Sequence, residues 1–469
     1  MKKIFPIFVL AILLVVAVSV VGALPGSGWK SGQQVQNVGG SSAQVVLTAY
    51  DTGGTAYACG TENVAPGASV TYLTDVNCPV PAGFLGSAVV SADQPIAAIV
   101  NVNNRGTGSA AGQYQGTDGA DVATSISFPL VKNDHNGRTT TFYVQNASNS
   151  NNDISAVFSV GGVTYNLNKP GVPANAMVII SPTDAGVPSG FGNVGSLNVT
   201  GTQPLAGSSL EHQTSAPVGQ NLQASKAFTA ADGATDVFCP LYRKNHTVRN
   251  QTTGAQVQNV GGAAIPVGDI VFTINAPGGP FVYNNTAAVA PGDSYTFFAG
   301  TLAGLPDGTV GSATISSPQP VVAVVNDKGT QSGVDRVTTY ACFGSGGTSV
   351  NVPLAKEFAG GNTTGIQVQN IGGAGTQVTL EYKATNGKSL TVKSKGSVAP
   401  GSSITSWGIS NYPNAEWDVV SGTPGDMIGT VNGVVVSGSA DLAVIANESS
   451  NGTHGAASNQ DTKNYEGFN

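Results

Sequence analysis

The stretch QVQNVGG occupies residues 34–40 and again residues 256–262. QVQNIGG follows at 367–373, and a degenerate copy, YVQNASN, at 143–149. The Asn of each copy falls at Asn37, Asn146, Asn259 and Asn370, so the intervals are 109, 113 and 111 residues. A catalytic motif is rarely needed four times, whereas a fold element is needed once per domain. A period near 110 residues exceeds the roughly 20–50 residues of a solenoid unit. It matches the roughly 100 residues of an immunoglobulin-like sandwich, and is long enough for each unit to fold alone.

Further landmarks keep the same register. A Pro turn comes about thirty residues after each VQN: VAPGAS at 64–69, VAPGDS at 289–294 and VAPGSS at 398–403, with PGVPANA in the second copy. Proline fixes φ and glycine accepts positive φ, so Pro-Gly is a turn. Next come VPAGFLGSAVVSADQPIAAIVN at 80–101 and LPDGTVGSATISSPQPVVAVVN at 305–326, with looser counterparts at 187–207 and 425–447. Each reads as a hairpin of two apolar strands around a Gln-Pro turn. In AQVVLTAY, Val45, Leu47 and Ala49 share one face and Val46, Thr48 and Tyr50 the other, which is the two-residue period of a strand. No window carries a helical stripe. SFPLVKN at 127–133, FCPLYRKN at 238–245 and VPLAKEF at 352–358 each precede a VQN strand and read as opening strands, with Pro marking a sheet edge.

Composition agrees. Only 10% of the 469 residues are charged, against about 25% in ordinary soluble proteins. Gly alone contributes 63 residues, which suits short strands and tight turns and disfavours helices. The net charge of −7 and the absence of a basic cluster beyond the N-terminus exclude an electrostatic nucleic-acid footprint.

The chain opens MKKIFPIFVLAILLVVAVSVVGA. Two lysines, an apolar run and small residues at Val21-Gly22-Ala23 make a secretory signal, residues 1–23. The run also approaches the roughly 18 residues of a membrane helix, so an uncleaved anchor is the alternative. No second such run exists, and the mature chain has no membrane span. Cys59 and Cys78 are 19 residues apart, Cys239 and Cys342 are 103 apart. Pairing 59–78 and 239–342 keeps each bond inside one repeat and is preferred among the three connectivities, as structural staples of an oxidising compartment.

The mature chain as a whole resembles the tandem VQN-type sandwich repeats of secreted and cell-surface proteins of filamentous Chloroflexota bacteria. The shared pattern is PL-x-x-K-N, VQN, PG-x-S, then GSA-x-V-x-S-x-QP-x-A-x-VN. That resemblance implies an extracellular structural or adhesive role and no enzyme. The expected architecture is all-β: four tandem immunoglobulin-like sandwiches at 24–126, 127–236, 237–350 and 351–469, arranged as a rod.

Measured against that pattern, the first repeat has no PL strand, since only LPGSGWKSG separates Ala23 from Gln33. At the other end Tyr465 corresponds to Tyr114 and Tyr340, each of which leads into the next PL strand. Either the terminal repeats are trimmed, with residues 24–28 as a short edge, or the first repeat keeps an open edge that a neighbouring copy fills. In the second case head-to-tail contacts build open filaments, with Leu24 at the acceptor and Tyr465 and Phe468 as anchors of a C-terminal donor.

Candidate sites are sparse. The Gln and Asn of VQN contact sugars, or Asn takes left-handed geometry before Gly-Gly and bonds its own backbone. His135, His212, His246 and His454 share no spacing, and no catalytic fingerprint appears. Asp118 and Asp121, with Asp232 and Asp236, precede two of the PL strands and could supply oxygen ligands to calcium; the third junction has no carboxylate. Trp407, Trp417 and Tyr412 concentrate aromatics in the fourth repeat, where a glycan could stack. The sequence thus points to a secreted, cell-surface structural protein that assembles with copies of itself, the alternative being a glycan-binding adhesin.

Overall fold

The computed structural model describes residue 24 and residues 28–104, 110–214, 221–247, 250–331, 334–450 and 462–468. It is all-β: among the described residues the only helices are one short turn, Thr74–Asn77, and four single-turn 3-10 segments. The VQN strands Trp29–Asn37, Arg138–Asn146, Thr252–Asn259 and Asn362–Asn370 each lie between two strands paired in the same way, and the stretches around them are called units one to four below.

Unit three shows the plan. Its VQN strand, Thr252–Asn259, lies between Ser294–Phe298, which follows the Pro-Gly turn, and the far half of the long strand Thr309–Gln331. Val334–Ala341 pairs on the outer side of that half. The near half of the long strand pairs instead with Val271–Asn275, itself flanked by Phe281–Asn284, and with the PL strand Ala234–Lys244. Buried apolar side chains of both layers, Val257, Phe272, Ile315 and Val325 among them, meet between them.

The expected hairpin at Gln-Pro is therefore not formed. In unit one, Gly86–Ala92 pairs with Ala43–Asp51, while Ile96–Asn104 pairs with Trp29–Asn37 in a different sheet. In the other units a single strand, such as Val194–Gln213, runs through both layers. Two apolar stretches around a polar break fit a corner between sheets as well as a hairpin. A proline without an N–H is readily placed where a strand leaves one ladder for the next.

The PL strands of units two and three each pair with one long strand, that of unit four also with Asn362–Asn370, and in each the ladder slips at the Pro-Leu dipeptide: between Phe128 and Val131, Cys239 and Tyr242, and Val352 and Ala355. Such a bulge frees backbone groups that need other partners. The Tyr340 hydroxyl supplies them in unit three, accepting from the Leu241 N–H at 3.1 Å and donating to the Leu241 carbonyl at 2.5 Å. Tyr465 does the same for Leu354 in unit four, at 3.0 and 2.5 Å. Disulfides join Cys59 to Cys78 and Cys239 to Cys342, the second tying the PL strand of unit three to the end of its last strand.

None of the four VQN asparagines has positive φ, so the left-handed geometry expected for them is corrected. Each remains extended at its strand end and acts through its side chain. Asn259 donates to the carbonyls of Ala263 at 2.8 Å and Val289 at 3.0 Å, and accepts from the Gly261 N–H at 2.9 Å. Asn37 and Asn370 make the same three bonds. One amide thus fastens the loop after its own strand to the strand entering the Pro-Gly turn. Asn259→Ala removes all three bonds; the Val289 carbonyl keeps the Ile265 N–H at 2.9 Å, while the Ala263 carbonyl and the Gly261 N–H lose their partner, at about 1–3 kcal/mol for each polar group left unsatisfied. The expected loss is about 2–4 kcal/mol, read from urea unfolding; an unchanged midpoint would show that water replaces the amide.

Candidate assembly and binding surfaces

The VQN glutamines and the Pro-Gly turns together build the junctions between units. In unit three the Gly292 carbonyl accepts from its own Gln258 amide at 3.0 Å. It also accepts from Ser196 Oγ at 2.6 Å and Asn198 Nδ2 at 3.2 Å, both of unit two. Gly401 of unit four repeats this with Gln369 at 3.0 Å and with Ser312 Oγ and Asn275 Nδ2 of unit three at 2.5 and 3.2 Å. In unit two the Asn175 carbonyl takes Gln145 at 3.1 Å and Ser87 of unit one at 3.5 Å. The turn glycines are needed twice over. Gly292 and Gly401 have φ of 86° and 75°, and a Cβ there would stand 2.7 and 3.0 Å from the neighbour's asparagine amide. Asn175, at φ 59°, is a residue that tolerates this region.

The series closes on itself. The Gly67 carbonyl of unit one takes Gln36 at 3.2 Å and lies against Gly433 of unit four, which stands where the other units have the docking serine. Ser69 of unit one donates to the Pro353 carbonyl of unit four at 3.1 Å. The PL strands of units two, three and four pack on the VQN strands of units three, four and one respectively. The last strands of the units, Ala110–Gln115, Gln223–Lys226, Val334–Ala341 and Thr462–Glu466, touch in a cycle at the centre. The four units form a ring and not the expected rod.

This placement corrects the assembly residues. Tyr465 is 1% exposed and lies in the last strand of unit four, paired with Thr430–Ser450. Phe468 pairs its backbone with Asn351 of the same unit in both directions. Leu24 is buried in the apolar cluster of units one and two. The C-terminal segment completes its own unit. The carbonyl that its tyrosine binds lies 111 residues earlier in the chain.

Ionisable groups converge beside the PL strands. Lys132 and Arg138 meet the buried Glu211 at 2.8 and 3.7 Å, Arg243 meets Asp327, and Lys356 and Lys463 meet Glu448 at 2.9 and 2.7 Å. Burial pushes the Glu448 carboxyl up, but the two lysines more than offset it and bring it down to about 2. Glu211 is likewise lowered, its burial outweighed by Lys132 and Arg138. Glu466, buried at the centre and bonded by the Ala341 N–H, is raised by desolvation.

Two equivalent clefts open at neighbouring junctions. One, of about 630 Å³, lies between units two and three and is lined by Lys132, His135, Arg138, Gln256 and Phe298. The other, of about 440 Å³, lies between units three and four, with Arg243, His246, Gln367 and Trp407. Trp407 is 46% exposed, whereas Trp417 and Tyr412 are buried in the core of unit four. Of the aromatics singled out in the sequence, one faces a cleft and two pack inside. Burial lowers His135, His246 and His212 alike; His454 lies outside the described residues. Asp118, Asp121 and Asp232 line one pocket near the centre, but the Lys226 ammonium stands among them, 3.0 Å from Asp232. Asp236 is elsewhere, accepting the Ser316 hydroxyl at 2.6 Å. Among the described residues no group of three or more His, Cys, Asp or Glu side chains is placed to hold a metal ion, and no helix is long and apolar enough to cross a membrane.

No family model matches the chain, and no curated protein does. Among solved structures, a Thermotoga maritima protein described as 1070 aligns at 20% identity over 24% of this chain and 95% of its own, with a TM-score of 0.20. A glycoside hydrolase family 32 structure from Bifidobacterium adolescentis aligns at 9% identity over 92% of this chain and 99% of its own, TM-score 0.15. A tetra-tandem repeat from the extending region of a large adhesion protein aligns at 12% identity over 98% of this chain and all of its own, TM-score 0.10. None is similar enough to carry an argument about activity, and no enzyme family is identified.

Two measurements check the junctions. A Cβ on Gly433 would stand 3.0 Å from the Gly67 carbonyl and 2.7 Å from the Gln36 amide, so Gly433→Val overpacks the closing contact by about 1–3 kcal/mol. Small-angle scattering should then report a larger radius of gyration; an unaltered profile would mean that the ring closes by other contacts. For Glu448 the folded pKa lies below the ordinary 4.5, so its stabilisation is present above that value and fades as pH falls towards 2. Glu448→Gln should lose on the order of 3 kcal/mol at neutral pH, and the gap to the native chain should close by about pH 2. A gap independent of pH would refute the charge pairing.

Proposed function

We propose that this is a secreted structural protein of the cell surface, a ring of four immunoglobulin-like sandwiches that serves as a subunit of a sheath, filament or surface layer. The observation that supports it most is the use made of the repeated polar motif. The VQN amides and Pro-Gly turns are consumed in bonds within and between units, as scaffold residues are, and present no recurring chemistry to a substrate. The export signal, the low charge and the two disulfides favour an extracellular setting, and the likeness to VQN-type repeats points the same way. On this reading the protein is not an enzyme and its principal partner is its own kind, meeting through the outer faces of the ring.

A second reading, a glycan-binding adhesin, draws on Trp407. Its half-exposed indole stands beside Arg243, Gln367 and Asn447 at the edge of a cleft, and aromatic faces flanked by amides suit sugar rings. Electron microscopy of the purified protein separates the two. Ordered filaments or sheets built of four-lobed particles are expected. Discrete rings that never assemble at high concentration, yet bind a glycan array in a Trp407-dependent way, would displace the structural reading in favour of the adhesin.

A further inference from the structure

The two junction clefts share one design, and one of them departs from it. Each has a half-exposed aromatic ring opposite a glycine of the VQN strand, Phe298 over Gly254 and Trp407 over Gly365. An aromatic side chain in that place covers bare backbone, so the ring alone does not point to a ligand. Each cleft also holds an ion pair between the PL strand and the long strand, Lys132 with Glu211 and Arg243 with Asp327. A histidine follows three places after the base, His135 and His246. The next unit contributes an asparagine in register with the glycine under the ring, Asn326 in one cleft and Asn447 in the other.

In the cleft of units two and three these groups satisfy one another. Thr339 Oγ1 donates to Asn326 Oδ1 at 2.6 Å, and Asn326 Nδ2 donates to Glu211 Oε2 at 3.3 Å. In the cleft of units three and four the acid is an aspartate, one methylene shorter, and Asn464 holds the register position of Thr339. Arg243 still meets Asp327 Oδ2. Asp327 Oδ1 has no hydrogen-bond partner, and neither have Asn464 Nδ2, Arg243 Nε and His246 Nδ1. Asp327 and Asn464 are 4% and 3% exposed, so the acceptor and the donor are withdrawn from water, where an unpaired polar group is costly. Both line the cleft that Trp407 borders.

The chemistry that would complete this set is narrow. Asp327 Oδ1 needs a donor and Asn464 Nδ2 an acceptor, and a hydroxyl group is both. The charged residues lining the cleft are two cations, Arg243 and Arg336, and two acids, Asp327 and Glu448, which favours a neutral guest. The exposed half of the indole asks for an apolar face beside those hydroxyls. A pyranose ring carries vicinal hydroxyls on its rim and C–H groups on its face, and a volume of about 440 Å³ lies within the ~300–1,000 Å³ of small-molecule sites.

We propose that the cleft between units three and four is a binding site for a neutral hexose unit of a polysaccharide, with Trp407 under the ring and Asp327 and Asn464 reading neighbouring hydroxyls. Shortening the acid from glutamate to aspartate opens the site; the cleft of units two and three, closed by its own Glu211–Asn326 contact, is the unspecialised form. The proposal rests on the glycan-binding reading and deepens it, naming the class of sugar and the residues that select it.

Trp407 is 46% exposed, whereas Trp29 and Trp417 are 4% and 0% exposed, so acrylamide quenching of the full chain's fluorescence reports on this cleft. The probes are cellohexaose, chitohexaose and mannohexaose, with polygalacturonate as the charged arm. At least one neutral hexamer is expected to shield Trp407 saturably. Asp327→Glu, which copies the acid of the other cleft and keeps a partner for Arg243, should weaken that binding about ten-fold or more. Asn464→Leu should do the same, which guards against a position 327 variant that fails to fold. Phe298→Ala, in the other cleft, should leave binding unchanged. Shielding by no neutral hexamer, or by polygalacturonate alone, overturns the proposal, as does equal loss in Phe298→Ala. Calorimetric binding that is lost in Trp407→Ala but intact in both Asp327→Glu and Asn464→Leu also overturns it, while leaving the glycan-binding reading in place.

Discussion

A backbone carbonyl at the tip of each Pro-Gly turn is the point on which the architecture rests. A carbonyl oxygen has two lone pairs and can serve two masters. At Gly292 and Gly401 one acceptance goes inward, to the VQN glutamine of the same unit, and the others outward, to a serine and an asparagine of the unit before. The inward bond fixes the direction of the turn; the outward bonds dock it. Folding of one unit therefore prepares the surface on which its neighbour sits. Where unit four meets unit one, the serine is replaced by Gly433 and the contact becomes one of backbone against backbone.

Much of this plan is legible in the sequence, and the illegible part has physical causes. The period of Asn37, Asn146, Asn259 and Asn370 marks one strand per unit because each amide has a local task, bonding carbonyls four residues on and one strand away. The Pro-Gly turns were legible for the same reason, since their backbone demands are local. The Gln-Pro corner was not, because strand–break–strand has one appearance whether the chain turns back or passes on to another sheet. Nor was the role of Tyr465, whose partner Leu354 is remote in sequence. Ring closure leaves almost no local trace. Gly433 departs from the docking serine, yet a departure in one of four copies reads as drift until the neighbour is seen.

The PL strand and the last strand of a unit are one device in two pieces. Proline breaks the ladder, the bulged leucine is left with open backbone groups, and a tyrosine from the last strand closes them. The basic residue two places beyond the leucine finds its acid on the long strand. Unit two keeps the ion pair but has Ser225 in register with the tyrosines; unit one has the tyrosine without the acid. Hydroxyl and charge are therefore separable, as they should be if one satisfies the backbone and the other recognises the side chain.

That separation bears on what the buried ion pairs do. Glu211, Asp327 and Glu448 are almost wholly withdrawn from water, and taking both partners of a pair out of water often cancels the gain from their attraction. In a chain where 10% of residues are charged, keeping three such acids at corresponding places is poor economy if they serve stability alone. A penalty for mismatch explains them better. A strand lacking its lysine would leave a buried acid unpaired, at a cost of roughly 3–5 kcal/mol, so each groove rejects the wrong strand more strongly than it holds the right one. In unit one the corresponding place is held by the buried Val102, where a lysine would find no acid. In a protein of four similar units, such pairs act less as glue than as an address, distinguishing strands whose backbones are otherwise interchangeable.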